Sequence, residues 1–174
     1  STEHLVFTDE SAIKVLTTYH SMGCFLKGEW ARKQSYFHQG DRFSVLPALS
    51  MDSIMYLHII RGSFDGNPFL EYLEGLLQVM NPYPEPKSVL VMDNCAIHHI
   101  EGIKLIYLPP YLPDFNPIEE CFSYMKSVLW QHGETFHMVL STKYPIAISG
   151  FLSDTLATVT SMHTQDWFKH SNYM

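Results

Sequence analysis

Cysteine is scarce in this chain of 174 residues, with three copies, Cys24, Cys95 and Cys121, far apart and none in a C-x-x-C pair. That spacing argues against a cysteine-based zinc or dithiol redox site and suits a reducing compartment. No uncharged apolar run approaches the ~20 residues of a membrane helix, and Ser1 to Glu10 lacks the basic, apolar, small-residue order of a signal peptide. A soluble, intracellular protein is the expectation. Basic residues are also few, 11 against 18 acidic ones, for a formal charge of −7. An evenly spread negative charge is a poor match to a polyanion. DNA binding would need carboxylates neutralised by cations, or basic surface supplied from elsewhere in a longer protein.

What is present is apolar substance. The hydrophobic fraction of 46% and the aromatic fraction of 14% place the chain far from the composition of disordered proteins. Its length fits one domain, residues 1–174. His4 to Thr8 has the pattern of a short strand ending at Asp9-Glu10. Arg42 to Leu49 and Ile54 to Ile60 are rich in β-branched and aromatic residues, with Met51-Asp52-Ser53 as a hairpin connection.

From Asn67 the period changes. Asn67 is a cap candidate, Pro68 suits the first helical turn, and Phe69, Leu73, Leu76, Leu77 and Met80 recur at helical spacing. Prolines 82, 84 and 86 end that helix. Ser88 to Met92 is an unbroken apolar run of the kind buried on both faces of a sheet, with Asp93 at its carboxyl end. Ile103 to Leu108 is the next strand, and a second helix starts at Asn116-Pro117 with Ile118, Phe122, Met125 and Leu129 on one stripe. A helix is expected around Leu152 to Met162, then an aromatic tail of Trp167, Phe168 and Tyr173, expected in the core or against a partner. The fold class is α/β, with a mixed sheet whose central strands are buried.

Ligands in open α/β sheets gather beyond the carboxyl ends of the strands, where Asp9 and Asp93 both fall. A lone Asp there is ordinarily a turn former or cap. Two of them, with an acid opening a later helix, suggest a carboxylate cluster. Oxygen ligands without cysteine or close histidine pairs suit Mg²⁺ or Mn²⁺. Glu119 also has a purely structural alternative: with Asn116 as cap it is the third helical residue, where a Glu closes a capping box.

The run VLVMDNCAIHH, Val89 to His99, followed by LPPYLPDFNPIEE, Leu108 to Glu120, resembles the second and third catalytic blocks of the mariner-like DDE transposases, and VFTDES, Val6 to Ser11, resembles the first. The resemblance implies a ribonuclease-H-like mixed β-sheet of about five strands flanked by helices. It also implies that Asp9, Asp93 and Glu119 are the catalytic, metal-holding acids, with two Mg²⁺ or Mn²⁺ ions in the active complex. The implied activity is cleavage of DNA strands and transfer of the freed 3′ ends, on transposon-end and target DNA, with a homodimer as an assembly and the nucleus as the site of action in a eukaryote. A nuclease of the same fold and a transposase-derived binding module without catalysis are the alternatives. His98 and His99 are expected to be surface or hydrogen-bonded residues, with direct metal binding the lesser alternative and a DNA-phosphate or ligand-orienting contact open to His98, and His132 and His137 lack ligand partners at metal-site spacing.

Alternation along a strand turns Glu10 away from Asp9. About 100° of helix rotation separates Glu120 from Glu119. Two departures from the family pattern stand out. The amino-terminal helix-turn-helix modules of such transposases are not in this sequence, and are expected upstream. In addition, only nine residues, Asn94 to Gly102, separate Asp93 from Ile103. A parallel crossover needs ~10–12 residues and usually a helix, so either residues are omitted, between His99 and Gly102 by expectation, or the element has suffered a deletion that should cripple the fold; omission is favoured because the flanking blocks are intact.

Overall fold

The computed structural model describes residues 1–14, 42–64, 66–92, 103–108, 115–142 and 144–174. Strands β1 (Leu5–Thr8), β2 (Ser11–Ile13), β3 (Phe43–Ser50), β4 (Ile54–Arg61), β5 (Val89–Met92) and β6 (Lys104–Tyr107) form one mixed sheet. Helix α1 (Gly66–Val79) follows β4. Helices α2 (Pro117–Gln131), α3 (Gly133–Ser141), α4 (Pro145–Ala157) and α5 (Ser161–His170) follow β6.

β1 and β2 lie along the same side of β3 and keep one antiparallel register, Thr8 opposite Ala48 and Ser11 opposite Val45. They are one strand interrupted at Asp9-Glu10, so the six strands occupy five rows, as expected. Continuing that register sets Asp9 opposite Pro47, which brings no N–H to the ladder. The Pro47 carbonyl accepts instead from the Thr8 hydroxyl, at 3.0 Å. β4 pairs with the other side of β3, after a turn in which Ser50 N–H donates to the Ser53 carbonyl at 2.9 Å.

β5 runs parallel to β1 and β6 parallel to β5. The two strands predicted to be parallel neighbours are so. Their connection, and the residues expected to be missing from it, lie outside the described residues.

Alternation divides the sheet into two cores. Val6, Leu46, Ala48, Leu90 and Met92 pack under α1 through Tyr72, Leu73 and Leu76. Phe7, Val45, Leu49, Val89 and Val91 pack on the other face, against α2, α4 and α5. The buried stripe of α2, Ile118, Cys121, Phe122, Met125 and Leu129, has the spacing of one helical face and fixes how the helix is rotated on the sheet. Trp167 and Phe168 are buried core residues, and Phe168 meets Phe7 edge-on at 5.3 Å between ring centroids.

The helix expected over Leu152 to Met162 is corrected. α4 ends at Ala157 and α5 begins at Ser161, because Thr160 starts a new helix with a reciprocal cap to His163. α3 was not anticipated. Pro68, expected at the first helical position, sits in the first turn of α1, which opens at Gly66.

Candidate active site

Three strand ends meet along one edge. Thr8 pairs with Met92, and Met92 with Tyr107, so β1, β5 and β6 terminate side by side. Leu108 N–H closes the row by donating to the Met92 carbonyl at 2.9 Å. Asp9 leaves this edge immediately after Thr8. Asp93 is the residue after Met92 and lies outside the described residues, as do His98 and His99.

The Asp9 carboxylate is half-buried and held on both oxygens. Oδ1 accepts from the Glu10 backbone N–H at 2.7 Å, and Oδ2 accepts from Nδ2 of Asn116 at 3.2 Å. The second bond joins residues 107 positions apart and draws the start of α2 to the end of β1. Glu10 is occupied elsewhere, its Oε1 2.8 Å from Nη2 of Arg42.

Glu119 and Glu120 open α2 and face different surroundings. Glu120 reaches His170 on α5, Oε1 to Nδ1 at 3.4 Å. The Glu119 carboxylate is exposed in the first turn and makes no hydrogen bond or ion pair with a described residue. The capping-box alternative is not built. Asn116 occupies the cap position with φ −111° and ψ 97°, but its side chain makes no capping bond. Its amide is spent on Asp9 instead.

Asn116 is the residue that sequence reasoning assigned only a cap. It is 5% exposed, and its Oδ1 is buried without a hydrogen-bond partner among the described residues. Leaving such an acceptor unsatisfied costs about 1–3 kcal/mol. An amide oxygen and the Asp9 carboxylate, joined through the Asn116 side chain, are hard oxygen donors of the kind that suit a hydrated Mg²⁺ or Mn²⁺ and not a soft ion. Among the described residues alone, no group of three His, Cys, Asp or Glu is arranged to hold a metal. The third acid of the predicted set, Asp93, falls outside them.

Of the remaining candidates, His132 sits at the junction of α2 and α3. Cys121 is buried under the site helix, where desolvation pushes its thiol up to about 12, so it is neither nucleophile nor ligand at neutral pH. No helix of the described residues is long and apolar enough to cross a membrane.

Residues 4–138 match the sequence profile described as DDE superfamily endonuclease. No curated protein matches the sequence significantly. Among solved structures, the Mos1 mariner paired end complex with Mn superposes with a TM-score of 0.73 at 13% identity, over 99% of this chain and 54% of that one. The Mos1 strand transfer complex gives 0.72 at 12%, over 98% and 52%. The catalytic domain of Mos1 mariner transposase gives 0.60 at 11%, over 99% and 79%. The chain thus spans about half the length of the proteins in the two complexes. Identities this low show the fold, a ribonuclease-H-like mixed sheet flanked by helices, as in a DDE transposase catalytic domain. With the profile matched over most of its length, the chain belongs to the DDE superfamily endonucleases.

Proposed function

We propose that this chain is the catalytic core of a DDE transposase that cuts DNA strands and joins the freed 3′ ends to target DNA, with Asp9, Asp93 and Glu119 holding two Mg²⁺ or Mn²⁺ ions. The observation that carries the reading is the bond from Asn116 to Asp9, which brings the first turn of α2, and Glu119 with it, to the end of β1. The side-by-side ends of β1 and β5 add the strand from which Asp93 follows.

Bound divalent ions supply activation of the attacking oxygen and stabilisation of the leaving oxygen of a phosphodiester. The chain's own part is to hold the acids. Asp9 is fixed at both oxygens, so its remaining lone pairs have set directions. Glu119 is kept out of a cap and out of an ion pair among the described residues, with its carboxylate available. The charge of −7 is compatible with a DNA substrate once cations occupy the acidic site and basic regions outside this chain contribute.

The test is incubation of the full-length protein with transposon-end DNA and target DNA in Mg²⁺. Cleavage followed by joining supports the transposase reading. Cleavage without joining supports a nuclease of the same fold, and neither product in either Mg²⁺ or Mn²⁺ supports a binding module that has lost catalysis. Asp93→Asn is expected to abolish both products while keeping the fold, and to raise metal-free stability by removing like-charge repulsion. Undiminished cleavage by Asp93→Asn would remove that residue from the site.

A further inference from the structure

We propose that Asn116 is a positioning residue for the metal site: its amide N–H fixes the Asp9 carboxylate, and its carbonyl oxygen is held ready for a hydrated divalent cation. This rests on the metal-dependent reading above and assigns a role within it to a residue outside the acidic triad.

Three observations converge on the side chain. Asn116 stands at the amino end of a 15-residue helix, where an Asn ordinarily accepts from the backbone N–H of the second or third helical residue. It does not do so, although its backbone angles of −111° and 97° are the extended ones usual at a cap. Its Nδ2 donates to Asp9 Oδ2 at 3.2 Å. Its Oδ1, in a residue only 5% exposed, has no partner among the described residues.

The amide orientation follows from Asp9. An ionised carboxylate only accepts hydrogen bonds, so the NH₂ end must face it and the carbonyl end must face away. Oδ1 of Asp9 accepts from the Glu10 N–H and Oδ2 from the Asn116 amide, and the two bonds together fix the orientation of the carboxylate. The carbonyl oxygen of Asn116 is itself only an acceptor. A DNA phosphate oxygen would be repelled by it, whereas a cation, or a water on that cation, would satisfy it. Mg²⁺ commonly keeps several of its waters when bound. Partners that orient a metal's carboxylates typically alter metal affinity by about 10–100-fold when removed.

The experiment titrates the full chain with Mn²⁺ alone and reads free Mn²⁺ by electron paramagnetic resonance, without DNA and without turnover. Asp9→Asn identifies which binding belongs to this site. Asn116→Leu and Asn116→Ala remove both functions of the amide, and far-UV circular dichroism and thermal midpoints in EDTA report the fold. The expected result is Mn²⁺ binding weakened about tenfold or more in both variants, with the metal-free midpoint of Asn116→Leu equal to or above that of the parent, because the orphaned oxygen is gone. Affinities within about twofold of the parent would overturn the inference while leaving the metal reading intact. Loss of the folded signal in both variants without metal would overturn it too, by making Asn116 a structural residue. If the parent shows no Mn²⁺ binding that Asp9→Asn removes, the metal-dependent reading fails and this inference fails with it.

Discussion

The hydroxyls of Thr8 and Tyr72 share a hydrogen bond of 2.5 Å inside the core, one residue before Asp9. Thr8 donates onward to the Pro47 carbonyl, so the bond from Tyr72 completes a chain that ties α1 to β1 and β3 where the ladder lacks an N–H. Tyr72→Phe is expected to lower unfolding free energy by about 1 kcal/mol, the usual net value of one hydrogen bond. Urea denaturation checks this, and a variant as stable as the parent would show that the chain contributes nothing.

Gly75 sits where α1 crosses Tyr56. A Cβ added there would lie 2.0 Å from the Tyr56 hydroxyl oxygen and 2.5 Å from its ring carbon Cζ. Helix propensity alone would favour alanine over glycine by about 1 kcal/mol. The overlap should win, since overpacking costs about 1–3 kcal/mol and Tyr56 is itself packed against Tyr72 at 5.5 Å between ring centroids. Gly75→Ala is therefore expected to destabilise, and Tyr56→Leu in the same chain to recover part of the loss. A double-mutant cycle in denaturant measures the coupling, and strictly additive effects would contradict it.

Alkali should weaken the fold from within. Burial pushes the Cys121 thiol from 9.0 up to about 12 and raises the Tyr72 phenol well above its ordinary value of 10. Both groups are neutral when folded and ionise more readily when unfolded. Their contribution is complete below the unfolded value of each and is lost as pH climbs towards the folded value. Stability should fall progressively above pH 9, the unfolded value of the thiol. Cys121→Ala should start lower at pH 8 and decline less steeply above pH 9, as followed by urea midpoints. Parallel declines in parent and variant would contradict the assignment.

Much of the sheet, and where two residues of the candidate site fall along it, were legible in the sequence. The unbroken apolar run Ser88 to Met92 and the helical spacing of Phe69 to Met80 correspond to β5 and α1. Asp9 could be placed because it directly follows a strand, and Glu119 because it follows Asn116-Pro117 at a helix start. The first half of helix α4 was hidden for a physical reason: Pro145 to Ala157 is apolar on most sides, so no stripe marks where it starts. The start of α5 was hidden as well, because the residue answering the Thr160 cap is His163 and not the usual Glu or Gln. The bond from Asn116 to Asp9 and the break opposite Pro47 exist only once distant segments pair, and no local pattern announces either.

Glu119, with Asp9 and Asp93, is proposed to carry the metal chemistry, and its neighbour Glu120 is not. Glu120 lies 3.4 Å from His170, both side chains largely exposed, in a contact of the kind worth about 0–1 kcal/mol. Mg²⁺-dependent nicking of transposon-end DNA by the full-length protein, compared among the parent, Glu119→Gln and Glu120→Gln, tests it most directly. A loss of about a hundredfold or more is expected for Glu119→Gln, and a rate within about fivefold of the parent for Glu120→Gln. Nicking at the parent rate by Glu119→Gln, or its loss in Glu120→Gln alone, would contradict the account.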